Sequence, residues 1–158
     1  MNIGIIVYSQ TGHTLSVAVK LEQALSAAGH AAKLEPVESS EPARPGATDV
    51  QLKTAPDVDA YDALVFCSPV WGGALAPPMA SYLEQIASLQ GKRVACLVTQ
   101  FFPPALGGNQ TLAQMKDICE SKGAVVCGSG DVNWFRLRRR QKIAEVVDSL
   151  SRLFQVDE

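Results

Sequence analysis

Five short apolar segments alternate along the chain with longer segments of helical periodicity, and this alternation constrains the fold most strongly. The apolar segments are Ile3–Tyr8, Ala31–Val37, Ala63–Cys67, Arg93–Thr99 and Ala124–Cys127. Most are continuous runs of Val, Ile, Leu and Ala, which are typical of strands buried on both faces of a sheet. Strands that alternate with helices need crossover connections, so they form a mostly parallel sheet between two helical layers. The sequence therefore predicts a doubly wound α/β fold.

Four amphipathic segments account for the predicted helices, since each places apolar residues on one face at steps of three and four. These residues are Ala18, Leu21, Leu25 and Ala28; Met79, Leu83, Ile86 and Leu89; Leu112, Met115 and Cys119; and Ile143, Val147, Leu150 and Phe154. Pro77 and Pro78 suit the first turn of the second helix, and Asn109 is a candidate N-cap for the third. A length of 158 residues predicts a single domain over residues 1–158.

The stretch Glu38–Asp62 interrupts the alternation. Pro42, Pro45 and Pro56 interrupt every window in it that is long enough for a helix. We expect a long solvated loop in place of a helix, in preference to a dedicated binding lid, with at most a turn or two at Asp57–Tyr61.

Composition excludes several classes of protein. Fourteen Lys and Arg against sixteen Asp and Glu give a net charge of −2, whereas a generic nucleic-acid binder is basic and a charge-dominated disordered chain is far from neutral. No apolar run approaches the roughly 18 residues of a membrane span, and Met1–Tyr8 lacks the features of a secretory signal. We expect a cytoplasmic protein with neither nucleic acid nor a membrane as its partner.

The four cysteines, Cys67, Cys96, Cys119 and Cys127, form no CxxC pair and have no His at metal-ligand spacing. Three of them lie within predicted strands, where a free cysteine packs as a small apolar residue. We expect reduced structural thiols and no metal site.

The residues that follow the first predicted strand point to an anion. Ligands of such sheets bind beyond the carboxyl ends of the strands, and this position holds Ser9, Gln10, Thr11, Gly12, His13 and Thr14. Three hydroxyls, a glycine and a helix N-terminus favour a phosphate. The loop is neither GxxxxGK[ST] nor GxGxxG, so a terminal phosphate held by neutral donors fits better than a triphosphate or pyrophosphate. The alternatives are an ordinary capped helix start and, for His13, a solvated loop residue in place of a phosphate ligand.

Two further loops follow the third and fourth predicted strands at the same edge. They contain Pro69, Val70, Trp71, Gly72 and Gly73, and Thr99, Gln100, Phe101, Phe102 and Gly108. Trp71 suits stacking on a planar ring, and the glycines let the backbone approach a ligand closely; core packing and turn formation are the alternatives. Because the first, third and fourth predicted strands present such loops at equivalent positions, the sequence predicts a ligand site.

The strongest local charge feature is the run Arg136–Arg140, which Trp134 and Phe135 precede. It is interpreted either as a solvated helix face or as a patch that docks an acidic partner or the phosphates of a nicotinamide cofactor.

These motifs resemble those of the flavodoxin family. Ser9, Thr11, Gly12 and Thr14 match its (S/T)xTGxT phosphate loop, and Tyr61–Gly73 and the Thr99–Gly108 loop are similar to its other cofactor loops. The resemblance implies a flavodoxin-like fold with a five-stranded parallel sheet of order 2-1-3-4-5, and non-covalent binding of FMN. It implies that the phosphate lies in Ser9–Thr14 and the isoalloxazine lies between Pro69–Gly73 and Thr99–Phe102.

The Pro-Val-Trp-Gly-Gly stretch at Pro69–Gly73 is closer to NAD(P)H:quinone oxidoreductase-type members than to carrier flavodoxins. The resemblance therefore implies an FMN-dependent oxidoreductase that uses NAD(P)H to reduce quinone-like or other small acceptors. No catalytic side chain is required, because the cofactor carries out the redox chemistry. The alternatives are an electron carrier for a redox protein partner and a cofactor-less interaction scaffold, and the sequence leaves homo-oligomerisation open.

Overall fold

The structure is a computed structural model that describes residues 1–101, 107–134 and 138–155. The strands are β1 (Asn2–Val7), β2 (Ala31–Pro36), β3 (Glu38–Ser39), β4 (Leu52–Thr54), β5 (Ala63–Trp71), β6 (Ala74–Leu75), β7 (Arg93–Gln100) and β8 (Val125–Asn133). The helices are α1 (His13–Ala27), α2 (Pro77–Gln85), α3 (Gly108–Ser121) and α4 (Arg139–Arg152).

Five parallel strands form the central sheet in the order β2-β1-β5-β7-β8. Counted along these five strands, the order is 2-1-3-4-5, so the predicted topology is confirmed. The chain first winds from β1 to β2 and then crosses to β5 on the other side of β1. The carboxyl ends of β1 and β5 therefore flank the switch point, where open α/β sheets bind their ligands.

Alternate residues of the central strands enter two separate cores. Ile5 and Val65 face a core closed by α1 and α4, whereas Ile6 and Phe66 face a core closed by α2 and α3. All four side chains are fully buried, as a sheet covered on both faces requires. The prediction of helices on both faces is confirmed.

Three details of the predicted helices are wrong. Helix α2 ends at Gln85, and Leu89 lies in the following extended segment, where its N–H donates to the carbonyl of Lys122 at 2.8 Å. Gly107, not Asn109, is the N-cap of α3, and Phe154 lies beyond the end of α4. Leu89 and Phe154 are fully buried. The apolar periodicity therefore predicted that these residues are buried, but it did not predict where each helix ends.

The stretch Glu38–Asp62 contains no helix, as predicted, but it is more than a solvated loop. Strands β3 and β4 pair antiparallel within it, and the Glu38 N–H donates to Thr54 Oγ1 at 2.9 Å. Val58 is buried in the core beside α2. Two strands of two and three residues are too short to show a period, so the sequence pattern did not predict them.

Cys67, Cys96 and Cys119 are buried and Cys127 is half-buried, and all four are free. Burial raises the pKa of the Cys67 thiol above its ordinary value, as expected of a thiol that packs as an apolar residue. Among the helices in the described ranges, none is long and apolar enough to cross a bilayer.

Candidate functional site

The loop between β1 and α1 turns sharply at Gly12. This residue has φ 91°, lies at the N-cap of α1 and has open space where a Cβ would stand. The Ser9 hydroxyl accepts hydrogen bonds from the N–H groups of Gly12 at 3.1 Å and Leu15 at 3.3 Å. Ser9 therefore fixes the loop against the first turn of the helix.

Three backbone donors remain at this helix start. Within the described part of the chain, the N–H groups of Thr11, His13 and Thr14 donate no hydrogen bond. The first turn of α1 carries no acidic residue, and its N-cap residue, Gly12, makes no side-chain hydrogen bond. Unpaired donors at the positive end of a helix dipole form an anion site, so this loop has the chemistry that a phosphate group needs.

Thr14 differs from its neighbours because its side chain faces the sheet. It is 1% exposed, and its hydroxyl lies 2.7 Å from the hydroxyl of Thr99, which is 3% exposed. This pair joins the start of α1 to the end of β7. The structure therefore brings these two predicted site residues together through a bond to each other.

The predicted loop at Pro69–Gly73 is a β-hairpin. Pro69, Val70 and Trp71 belong to strand β5 and not to a loop, which corrects the prediction. Val70 pairs with Leu75, and Trp71 pairs with Ala74. Gly72 and Gly73 have φ 58° and 76°, and two successive residues with positive φ are the requirement of the tight hairpin turn. The Trp71 ring packs edge-on against Tyr8, with centroids 5.5 Å apart.

The loop after β7 touches this hairpin. A Cβ on Gly107 would lie 2.6 Å from the Cα of Gly73, so the two backbones are in direct contact. Thr99 and Gln100 are the last residues of β7 and are buried, whereas Phe101 is 42% exposed. Phe102 lies outside the described residues.

Gly108, the first residue of α3, covers a buried polar pair. Gln100 Nε2 donates to Asp131 Oδ2 at 2.7 Å, and a Cβ on Gly108 would lie 2.2 Å from Gln100 Nε2 and 2.4 Å from Asp131 Oδ2. Gly108 therefore packs against the Gln100–Asp131 pair, and any larger residue there would displace Gln100.

An aromatic stack that the sequence did not predict lies beside the first loop. The His13 ring stacks on Trp134 at 4.3 Å and 14°, and it meets Phe101 edge-on at 5.4 Å. The Arg139 guanidinium lies 4.7 Å from the centre of the Trp134 ring. Because the last strand was predicted to end at Cys127, Trp134 was not recognised as a residue at the carboxyl edge. Arg136, Leu137 and Phe135 lie outside the described residues.

The β3–β4 hairpin adds charged residues that sequence reasoning also missed. A cleft of about 480 Å³ runs between Ser9 and Gln10 on one side and Glu38, Glu41 and Lys53 on the other. Glu38–Asp62 was interpreted as a solvated loop, so no residue from it was assigned to the site.

This geometry defines a class of protein. A five-stranded 2-1-3-4-5 sheet carries an anion-binding loop after its first strand and two contacting, glycine-containing loops beside it, which makes the chain a flavodoxin-like protein. The family model of NADPH-dependent FMN reductases matches residues 1–135. The chain belongs to this family, and it is an FMN-dependent NAD(P)H oxidoreductase with FMN as its cofactor.

Solved structures share the fold. A flavoprotein from Lactobacillus acidophilus in complex with FMN is 21% identical, with 82% of this chain and 92% of that chain covered at a TM-score of 0.64. Oxidised flavodoxin 1 from Bacillus cereus is 15% identical over 98% of this chain and 97% of that chain, with a TM-score of 0.69. A WrbA-like flavodoxin from Agrobacterium tumefaciens is 15% identical over 98% and 99%, with a TM-score of 0.67. No curated protein matches the sequence.

Proposed function

We propose that this chain holds FMN at the carboxyl edge of its sheet and uses NADPH to reduce small quinone-like acceptors. One observation carries the placement: Thr11, His13 and Thr14 present unpaired N–H groups, among the described residues, at a helix start without carboxylates. These donors fit the FMN phosphate, because they are neutral, belong to one loop and lie at the positive end of α1.

The phosphate is held by the N–H groups of this loop, and the Ser9 and Thr11 hydroxyls complete its shell. Gly12 leaves the space that the phosphate needs, since nothing lies within 4 Å of its Cβ position. The Thr14 side chain acts differently from its N–H group: its buried bond to Thr99 holds the helix start at the end of β7. It is a positioning residue in this proposal.

The isoalloxazine lies between the hairpin at Trp71 and the loop at Phe101. Leu15 and Phe101 are exposed by 38% and 42%, and large apolar side chains exposed beside a polar loop are typical of a ligand-binding surface. Nothing lies within 4 Å of the Cβ position of Gly72, so this turn leaves room for the polar edge of the ring to approach the backbone. Bound FMN supplies the redox chemistry, which is hydride acceptance from NADPH and electron delivery to the acceptor.

The charge of these loops favours a small acceptor over a protein partner. Ser68–Ala74 and Thr99–Gly108 contain no Asp or Glu, whereas a carrier that docks by charge needs a charged rim. The exposed Phe101 instead offers a flat apolar surface on which a quinone-like ring stacks.

Steady-state oxidation of NADPH in the presence of a benzoquinone tests this function. The FMN-loaded protein is compared with the same concentration of free FMN, and with protein from which FMN has been removed. We expect turnover by the loaded protein to exceed that by free FMN at least tenfold. Turnover no faster than that of free FMN would contradict the reductase assignment. Reduction of a redox protein without reduction of the quinone would favour the role of an electron carrier.

A further inference from the structure

A second cleft lies at the opposite edge of the sheet from the β3–β4 hairpin. It has a volume of about 570 Å³ and separates the edge strand β8 from α4. We call it the basic cleft, and its polar lining includes Asp131, Asn133, Arg138, Gln141, Lys142 and Glu145. Apart from Asp131, which accepts a hydrogen bond from Gln100, these residues have no role in the FMN placement proposed above.

The two cations of the basic cleft have no carboxylate partner in the described ranges. The ion pairs among the described residues are Lys33–Glu35, Lys116–Glu120 and Arg152–Asp148, and none includes Arg138 or Lys142. Both residues are exposed and lie at the N-terminal end of α4, where the helix dipole disfavours positive charge. An anion between them relieves both the mutual repulsion of the cations and their conflict with the dipole.

The basic cleft adjoins the proposed flavin edge. The Trp134 N–H donates to the Gln100 carbonyl at 2.7 Å, which ties the segment after β8 to the end of β7. Trp134 also stacks on His13 of the first loop and contacts Arg139 at the start of α4. A molecule that extends from the flavin edge therefore meets aromatic rings first and the cations of the cleft next.

The chemistry of the lining selects the ligand. Arg138 and Lys142 donate hydrogen bonds to phosphate oxygens, while the Glu145 carboxylate accepts a hydrogen bond from a ribose hydroxyl or from the adenine amine. A cleft of this volume suits a small molecule. We propose that the basic cleft binds the adenosine 2′-phosphate end of NADPH and so makes the enzyme prefer NADPH over NADH. This inference rests on the proposed function.

Direct binding of nucleotide fragments tests the assignment without turnover. The FMN-loaded protein is titrated calorimetrically with 2′,5′-ADP and with 5′-AMP, which lacks the 2′-phosphate. The test variant is Arg138→Gln with Lys142→Gln. The matched control is Arg140→Gln with Lys20→Gln, because these two exposed cations line a separate groove between α1 and α4 and their replacement removes the same charge.

We expect the wild-type protein to bind 2′,5′-ADP at least about tenfold more tightly than 5′-AMP, since charge-assisted contacts to phosphate are strong. The test variant loses that preference, keeps its affinity for 5′-AMP within about twofold and raises KM for NADPH but not for NADH. The control variant behaves like the wild type.

Three results would overturn the inference: equal affinity of the wild type for the two fragments, equal losses in the test and control variants, or loss of FMN from the test variant. The last would assign the cations to the FMN phosphate. Failure of the proposed function is a different result, because it appears as absence of NADPH oxidation whatever the fragments do.

Discussion

Gly12 is the residue whose conformation most directly shapes the anion site. Its φ of 91° and the open space around it are matched at the other end of the same helix by Gly29, with φ 94° and equally open space. Leucine at either position adopts the same unfavourable left-handed backbone, which costs roughly 1–2 kcal/mol.

We therefore expect Gly12→Leu and Gly29→Leu to lower the free energy of unfolding of the FMN-free protein by similar amounts. Only Gly12→Leu places a side chain where the phosphate lies, so it alone raises the FMN dissociation constant, by about tenfold or more. Urea unfolding and fluorescence titration with FMN measure the two effects. Equal FMN affinities in the two variants would show that the FMN phosphate does not bind in this loop.

The Thr14–Thr99 pair makes a separate prediction, because a buried hydroxyl that loses its partner is costly. Thr14→Val leaves the Thr99 hydroxyl buried and unpaired, at about 1–3 kcal/mol. The double variant with Thr99→Val removes both hydroxyls and is closer in stability to the wild type than the single-variant losses predict when added. Urea unfolding of the four proteins measures the coupling, and strictly additive losses would contradict the pairing.

At the scale of elements, the contact between the β5–β6 hairpin and the start of α3 shapes the site. Gly107→Ala places a Cβ 2.6 Å from the Cα of Gly73, so two backbones must separate. We expect a loss of about 2–4 kcal/mol in the free energy of unfolding, because the clash adds to the backbone strain. Gly91→Ala is the control, with φ 77° and open space, and it loses only about 1 kcal/mol. Equal losses would show that the two loops separate freely.

Tyr61 gives a pH-dependent prediction for the junction between β2 and β5. Burial raises the pKa of Tyr61 to about 12 from 10.0, with further contributions from its hydrogen bond to Glu35 and the Glu35 charge. Because the pKa is higher in the folded state, the stabilisation is complete below pH 10 and is lost as the pH rises towards 12. The free energy of unfolding of Tyr61→Phe should therefore fall less steeply over that interval than that of the wild type. Parallel pH profiles would contradict this prediction.

The elements also show what sequence patterns can predict. Strands buried on both faces, such as those that contain Ile5 and Val65, are uninterrupted apolar runs, so the parallel sheet followed from the sequence pattern, whereas its strand order followed from the resemblance to the flavodoxin family. Polar strand ends give no such signal, and β8 continues through Gly128–Asn133 beyond its predicted end. The sequence pattern therefore did not place Trp134 at the carboxyl edge of the sheet, where the site lies. Contacts between distant loops, such as Gly73 with Gly107 or His13 with Trp134, depend on tertiary geometry and have no local signature.

The whole molecule distributes its small net charge of −2 unevenly around the sheet. Strands β2 and β8 form opposite edges. Glu38 and Glu41 lie near the β2 edge, and Arg138 and Lys142 lie near the β8 edge. The proposed flavin loops lie between them, so the charge distribution favours entry of an anionic dinucleotide from the β8 side.

Anaerobic mixing of the FMN-loaded protein with one equivalent of NADPH tests the central claim most directly. The visible absorption of the bound flavin is followed against the same concentration of free FMN, which reports hydride transfer without any choice of acceptor. We predict that the absorption of the bound flavin disappears completely and at least ten times faster than that of free FMN. Absorption that persists, or that decays at the rate of free FMN, would contradict an NADPH-dependent reductase.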